Sequence, residues 1–261
     1  MPIIQPLLST ESTPVSHPAH LLLLCALLLS GCASTPAHTD RDPRDPLERY
    51  NRAVHAFNED FDKAIFQPVA RGYEKVLPRP INNGISNFFS NIGDIWVMVN
   101  NLLQGKPGKS ASDLSRIVWN TSVGLGGFID VASHMDLPKH NEDFGQTLGV
   151  WGVGPGPYFV LPFLGPSTIR DTSGRVVQWV GDPKAEYLSS QDYLYITALD
   201  LVDTRASMLR TTRLLDSASL DSYSFMRDAY LQRREYLIHD GNPPEQEIFD
   251  PFADEPLPPA R

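Results

Sequence analysis

Cysteine is scarce. Two residues in a 261-residue chain exclude a disulfide-dense secreted scaffold and a four-thiolate zinc site. Basic residues are in deficit, 22 Lys and Arg against 31 Asp and Glu for a formal charge of −9. That balance excludes a general nucleic-acid binder, because phosphates call for a basic face. Catalytic motifs are missing as well: there is no G-x-S-x-G elbow, no Walker loop and no H-E-x-x-H pair. Gly152, Gly154 and Gly156 do not complete a dinucleotide fingerprint, and nothing in the sequence pairs Asp130, Asp136 or Asp171 as acid and base. The expectation is a protein that is not an enzyme, with no catalytic residues and no cofactor.

Proline is the residue in excess, and its placement divides the chain. Of 23 prolines, seven lie in residues 1–46, six in residues 241–261 and ten between. Two proline-rich ends therefore flank a middle of ordinary density, and four prolines crowd together within it (Pro155, Pro157, Pro162 and Pro166). The acidic end, residues 240–261, is expected to be a disordered tail.

The front end carries an address. Residues 21–29 read LLLLCALLL, nine apolar residues that are too short to span ~30 Å of hydrocarbon but suit a signal-peptide core. Residues 1–20 hold no Lys or Arg, a departure from the positive start such peptides have. Leu29-Ser30-Gly31-Cys32 resembles a bacterial lipobox. The resemblance implies removal of residues 1–31, with diacylglycerol and an N-acyl chain on Cys32. It further implies a tether over residues 33–44, and Ala33 in place of Asp implies sorting to the outer membrane.

Residues 45–239 read as a single, mostly α domain. Asp45-Pro46 has the form of a helix start. Leu47, Tyr50, Val54, Phe57, Phe61 and Ile65 share one helical face, which either packs on a core or lies in a membrane surface, and Pro68 is the expected end. Ile81–Gln104 carries one charge, Asp94, among many apolar residues, yet its asparagines argue against a simple transmembrane helix. Residues 119–132, WNTSVGLGGFIDVA, are apolar and glycine-rich. Phe144–Ile169 is a 26-residue uncharged run with six glycines and four prolines. A soluble loop should be more polar and a spanning helix should not hold such prolines, so an irregular wall of a membrane-contacting cavity is one reading and a covered core loop the other. Helical patterns resume over Val176–Val180, Tyr193–Leu215 and Tyr223–Leu237. His134, His140, Glu142 and Asp143 are the polar cluster nearest in type to a metal site, but solvated turn residues are the expectation.

Several blocks in order resemble the MlaA/VacJ family of outer-membrane lipoproteins: DPLERYNRAVHAFNEDFD (45–62), NGISNFFSNIGD (83–94), VNNLLQGK (99–106), WNTSVGLGGFIDVA (119–132), EDFGQTLGVWGVGPGPYFVLPFLGPSTIRD (142–171) and MRDAYLQRREYL (226–237). The resemblance implies a membrane-embedded, ring-like helical body with an amphipathic channel and a ridge. It implies association with a trimeric porin, uptake of phospholipids misplaced in the outer leaflet, and transfer to a periplasmic carrier of the MlaC type. By matching position, the channel or ridge residues would be Gly124, Gly126, Gly127, Phe128, Trp151, Pro155, Tyr158, Phe159, Pro162 and Phe163. A structural lipoprotein that docks to a porin without moving lipid is the other reading.

Overall fold

The computed structural model describes residues 42–218 and 221–244. Cys32, the expected signal peptide and tether, and residues 245–261 of the expected tail lie outside the described residues.

Helix α1 (Glu48–Phe61) passes through a π-helical turn (Asp62–Phe66) into α2 (Gln67–Val76). Pro68 therefore does not end the helix, contrary to the sequence expectation. A proline lacks the N–H for the ladder and its ring strikes the carbonyl four residues back. The wide turn, with the Gln67 N–H reaching the Asp62 carbonyl, resets the ladder just before Pro68. Asp45 is not the cap either. Leu47 occupies that position, and Asp45 is buried, accepting from the Asn51 amide at 2.7 Å and from the Tyr223 hydroxyl.

Helices α3 (Arg79–Leu103) and α4 (Pro107–Ser122) form a tightly packed hairpin turned at Gly105, whose φ of +74° suits glycine. The short α5 (Val131–His134) and α6 (Phe144–Val150) follow, capped by the carboxylates of Asp130 and Asp143. The glycine- and proline-rich run then folds into an antiparallel hairpin, β1 (Tyr158–Leu161) and β2 (Gly165–Thr168), with Val160 opposite Pro166. The sequence shows no strand pattern here, since four residues are too few to display a period of two. Pro166 is tolerated because a two-stranded ribbon has only edges. Helices α7 (Ile169–Val180), α8 (Pro183–Tyr187), α9 (Ser190–Ala218) and α10 (Ser222–Ile238) complete the mostly α fold.

Its burial is inverted. Among the described residues nine apolar side chains are buried, in two small clusters and singly, against nineteen polar or charged ones. Thirty-four large apolar residues are exposed. On α3 the buried face includes Asn91, Asp94, Asn100 and Asn101, and on α4 it is Ser110, Asp113, Arg116 and Asn120. Leu114, Val118 and Trp119 of α4 point outward. No described helix is long and apolar enough to cross a membrane.

Candidate functional site

The polar seam between α3 and α4 supports the glycine-rich loop 123–130. Arg116 donates to the Leu137 carbonyl at 2.7 Å and to both Asp130 oxygens at 3.1 Å, and its Nε lies 3.7 Å from Asp94. Lys139 reaches Asp94 from the far side. Asn120 ties the loop's far end to α4, donating to Asp130 at 3.1 Å and accepting from the Ala132 N–H at 2.9 Å. Burial raises the Asp130 carboxyl, but the Ser133 hydroxyl and N–H, the Asn120 amide and Arg116 outweigh it and hold the group at about 2.

Around this frame the glycines have separate reasons. A Cβ on Gly124 would lie 2.1 Å from the Ile129 carbonyl oxygen. Gly127 combines a φ of +97° with a Cβ position 2.8 Å from Asn91, whereas Gly126 faces open space and needs only its φ of +71°. Phe128 turns its half-exposed ring over Gly84, where any side chain would strike it.

The second group sits elsewhere. Trp151 donates from its indole to the Leu103 carbonyl at 3.1 Å and is half exposed. About 28 Å of α3 separates Gly84 from Leu103, so Phe128 and Trp151 mark distant points on one helix. Pro155 accepts from the Arg170 N–H, and the exposed Pro162 lies between the two strands. Phe159 lines a shallow apolar pocket with Pro46, Leu47, Pro157 and Ile169. Tyr158 is fully buried against Tyr223 and Tyr230, which makes it core. Phe163, at the hairpin tip with a φ of +63°, packs edge-on against Phe57 and Phe61.

No sequence motif marks what positions this hairpin. Asn51 and Asn58, seven residues apart on α1, use both ends of their amides as a substitute strand. Asn51 donates to the Tyr158 carbonyl and accepts from the Val160 N–H. Asn58 donates to the Leu161 carbonyl at 2.9 Å and accepts from the Phe163 N–H at 2.8 Å. Asn58→Leu leaves both backbone groups unpaired, an expected loss of about 1–3 kcal/mol in local stability. Hydrogen exchange should quicken at Phe163 while α3 stays protected; unchanged exchange there would refute the clamp.

Arg234 of α10 ties α6 to α7 through Asp143 and, at 2.8 Å, Asp171. Burial pushes both carboxyls up, yet Arg234, with Gln146 beside Asp143 and with Tyr230 and Arg170 beside Asp171, leaves each below the ordinary range. A depressed folded value gives stability that is complete above the unfolded carboxylate pKa of about 4 and is lost as the pH falls from there through the lower folded value. The melting temperature in detergent should therefore hold from neutral pH to about 5 and fall below about 4, less steeply in Arg234→Gln. Equal acid sensitivity in both proteins would place the titration elsewhere.

The four polar residues 134, 140, 142 and 143 do not converge. His140 pairs with Asp113 at 2.7 Å, Glu142 with Gln104 and Lys106, and Asp143 with Arg234. No cluster of metal-binding type occurs among the described residues. The arrangement is instead one of apolar side chains displayed over a polar, cross-linked frame.

Residues 43–237 match the family model described as MlaA lipoprotein. The chain is 40% identical over 245 residues to the intermembrane phospholipid transport system lipoprotein MlaA of Escherichia coli (strain K12), covering 89% of this chain and 96% of that one. The protein of that name from Haemophilus influenzae is 36% identical over 234 residues, covering 84% and 89%. A solved chain described as "Structural basis for maintenance of bacterial outer membrane lipid asymmetry" superposes with a TM-score of 0.67 at 37% identity, covering 76% of this chain and all of that one.

Proposed function

The chain belongs to the MlaA lipoprotein family, and from that premise we propose that it takes misplaced phospholipids from the outer leaflet of the outer membrane and hands them to a periplasmic carrier, maintaining lipid asymmetry. The observation that carries the reading is the inverted burial. A phospholipid has a charged head and two apolar tails, and moving it makes or breaks no bond. Lowering its barrier takes a body with apolar surface toward hydrocarbon and a rigid polar interior, which is what α3, α4 and loop 123–130 supply. In this reading the body is embedded in the membrane beside a trimeric porin, and the carrier is of the MlaC type. Phe128, held on the turn that Gly124, Gly126 and Gly127 allow, forms one lipid-facing element. Trp151, Phe159 and Phe163, with Pro155 and Pro162 shaping the backbone, form another.

Deleting the gene should raise outer-leaflet phospholipid, and the native gene should restore it. Unchanged levels in the deletion would sink the conduit reading and leave a docking role. The anchor is tested apart: Cys32→Ser should yield a protein whose intact mass shows no diacylglyceryl or N-acyl addition. A lipidated Cys32→Ser protein would refute Cys32 as the attachment point.

A further inference from the structure

Residues 42–46, which lead into α1, belong to no helix or strand, yet ion pairs pin them to α10. Arg227, itself buried, lies 3.2 Å from Asp42 and 3.4 Å from Asp45. Arg44 closes the knot, reaching Asp42 at 2.7 Å and Asp228 at 3.0 Å. The Arg44 guanidinium outweighs burial and holds the Asp42 carboxyl at about 2, so that partner is an anion at neutral pH. The knotted segment meets β1 directly, where the Tyr158 N–H donates to the Arg44 carbonyl at 3.0 Å. Asp45 acts on the same strand through Asn51. A carboxylate only accepts, so it draws the Asn51 amide nitrogen to 2.7 Å and leaves the amide oxygen for the Val160 N–H, 2.8 Å away. The run from Phe144 through Ile169 has no charge, so any ionic hold on the hairpin must come from outside it.

We propose that Arg227 is a positioning residue for lipid transfer: it pins segment 42–46 along β1 and so fixes Phe159 and Phe163 to the point where the chain from the acylated cysteine enters the body. This rests on the transport reading above and on acylation at Cys32. Ten residues lead from Cys32 to Asp42, a reach of at most about 36 Å. With the knot open, the body would begin at α1 instead, and roughly 17 Å of further slack would fall between the acylated cysteine and the hairpin. A brace between α1 and α10 alone would not need the segment. Arg52 of α1 already pairs with Asp221, the cap of α10, at 2.9 Å. What Arg227 adds is the hold on Asp42 and Asp45, and through them on Tyr158 and Val160.

The test uses the full lipoprotein, purified in detergent for residue-resolved hydrogen exchange and expressed in the deletion strain for outer-leaflet phospholipid at matched protein level. In Arg227→Met the Tyr158 and Val160 amides should exchange on the order of ten-fold faster, while α3 and Phe163, which Asn58 holds, keep their native rates. Outer-leaflet phospholipid should rise above the native level. Arg227→Lys keeps a cation beside both carboxylates and should return both readouts toward native. Asp42→Ala is the milder variant, because Asp45 keeps Asn51, Tyr223 and Arg227. It should speed Tyr158 about three-fold and leave Val160 unchanged. Uniform acceleration of all these amides would make Arg227 plain support for the fold and overturn the proposal. Native rates at Tyr158 in both variants would overturn it as well. So would selective opening with native asymmetry, which would show that transfer does not depend on where the hairpin is held. The transport reading stands or falls separately, on the deletion strain itself, and acylation of Cys32 on the intact mass.

Discussion

Arg116→Met should lower the melting temperature of the detergent-solubilised protein by on the order of 10 °C, from a loss of about 3–5 kcal/mol. The side chain is almost wholly buried and holds three segments at once: Asp94 of α3, Asp130 at the head of α5, and the carbonyl of Leu137. Methionine fills similar space and returns nothing to those partners. Asp94, 1% exposed, keeps Lys139 alone, and Asp130 keeps only Asn120 and the Ser133 groups. Removing one member of a buried charged set is far worse than never having had it, because the remaining charge stays desolvated. Replacing Arg116 and Asp94 together, as Arg116→Met with Asp94→Leu, should recover part of the loss. A shift under about 2 °C for Arg116→Met alone would show that the seam is wet and the pair already screened.

The sequence announces the helices more readily than the direction in which they face. Tyr50, Phe57 and Ile65 do share a helical face, but they are exposed, and Val54 alone of their stripe joins the inner cluster with Tyr158 and Tyr223. Periodicity reports that one side is apolar and is silent on whether that side meets protein or lipid. The informative stripe was the polar one. Asn87, Asn91, Asp94 and Asn101 recur at helical spacing in α3, and Asp113, Arg116 and Asn120 answer them from α4. Polar groups aligned so on two consecutive helices imply a shared face cross-linked by hydrogen bonds, a signal available before any coordinates. The hairpin clamp was less legible. Asn51 and Asn58 pair with backbone more than a hundred residues away, and no local pattern encodes that. The glycines were found by type but not by cause, because free volume and φ separate only in three dimensions.

Those causes set the second large effect. Gly124→Val should abolish function: outer-leaflet phospholipid in a complemented deletion strain should stay at the deletion level. The added Cβ would stand 2.1 Å from the Ile129 oxygen and 2.5 Å from the Asn120 oxygen. Both neighbours are backbone, so neither can rotate away. The Gly124 carbonyl is also the acceptor for the Ile129 N–H at 2.9 Å, the bond that closes the loop. Opening it displaces Phe128 from Gly84 and Asp130 from Arg116, so the apolar tip and the polar frame fail together. Gly126→Asn makes the control. No atom lies within 4 Å of a Cβ there, and asparagine tolerates the left-handed φ of +71°, so asymmetry should be restored nearly as well as by the native chain. The comparison is made at matched protein level by immunoblot. Full restoration by Gly124→Val, or failure of Gly126→Asn with normal accumulation, would mean that lipid passes over the loop by a route these contacts do not shape.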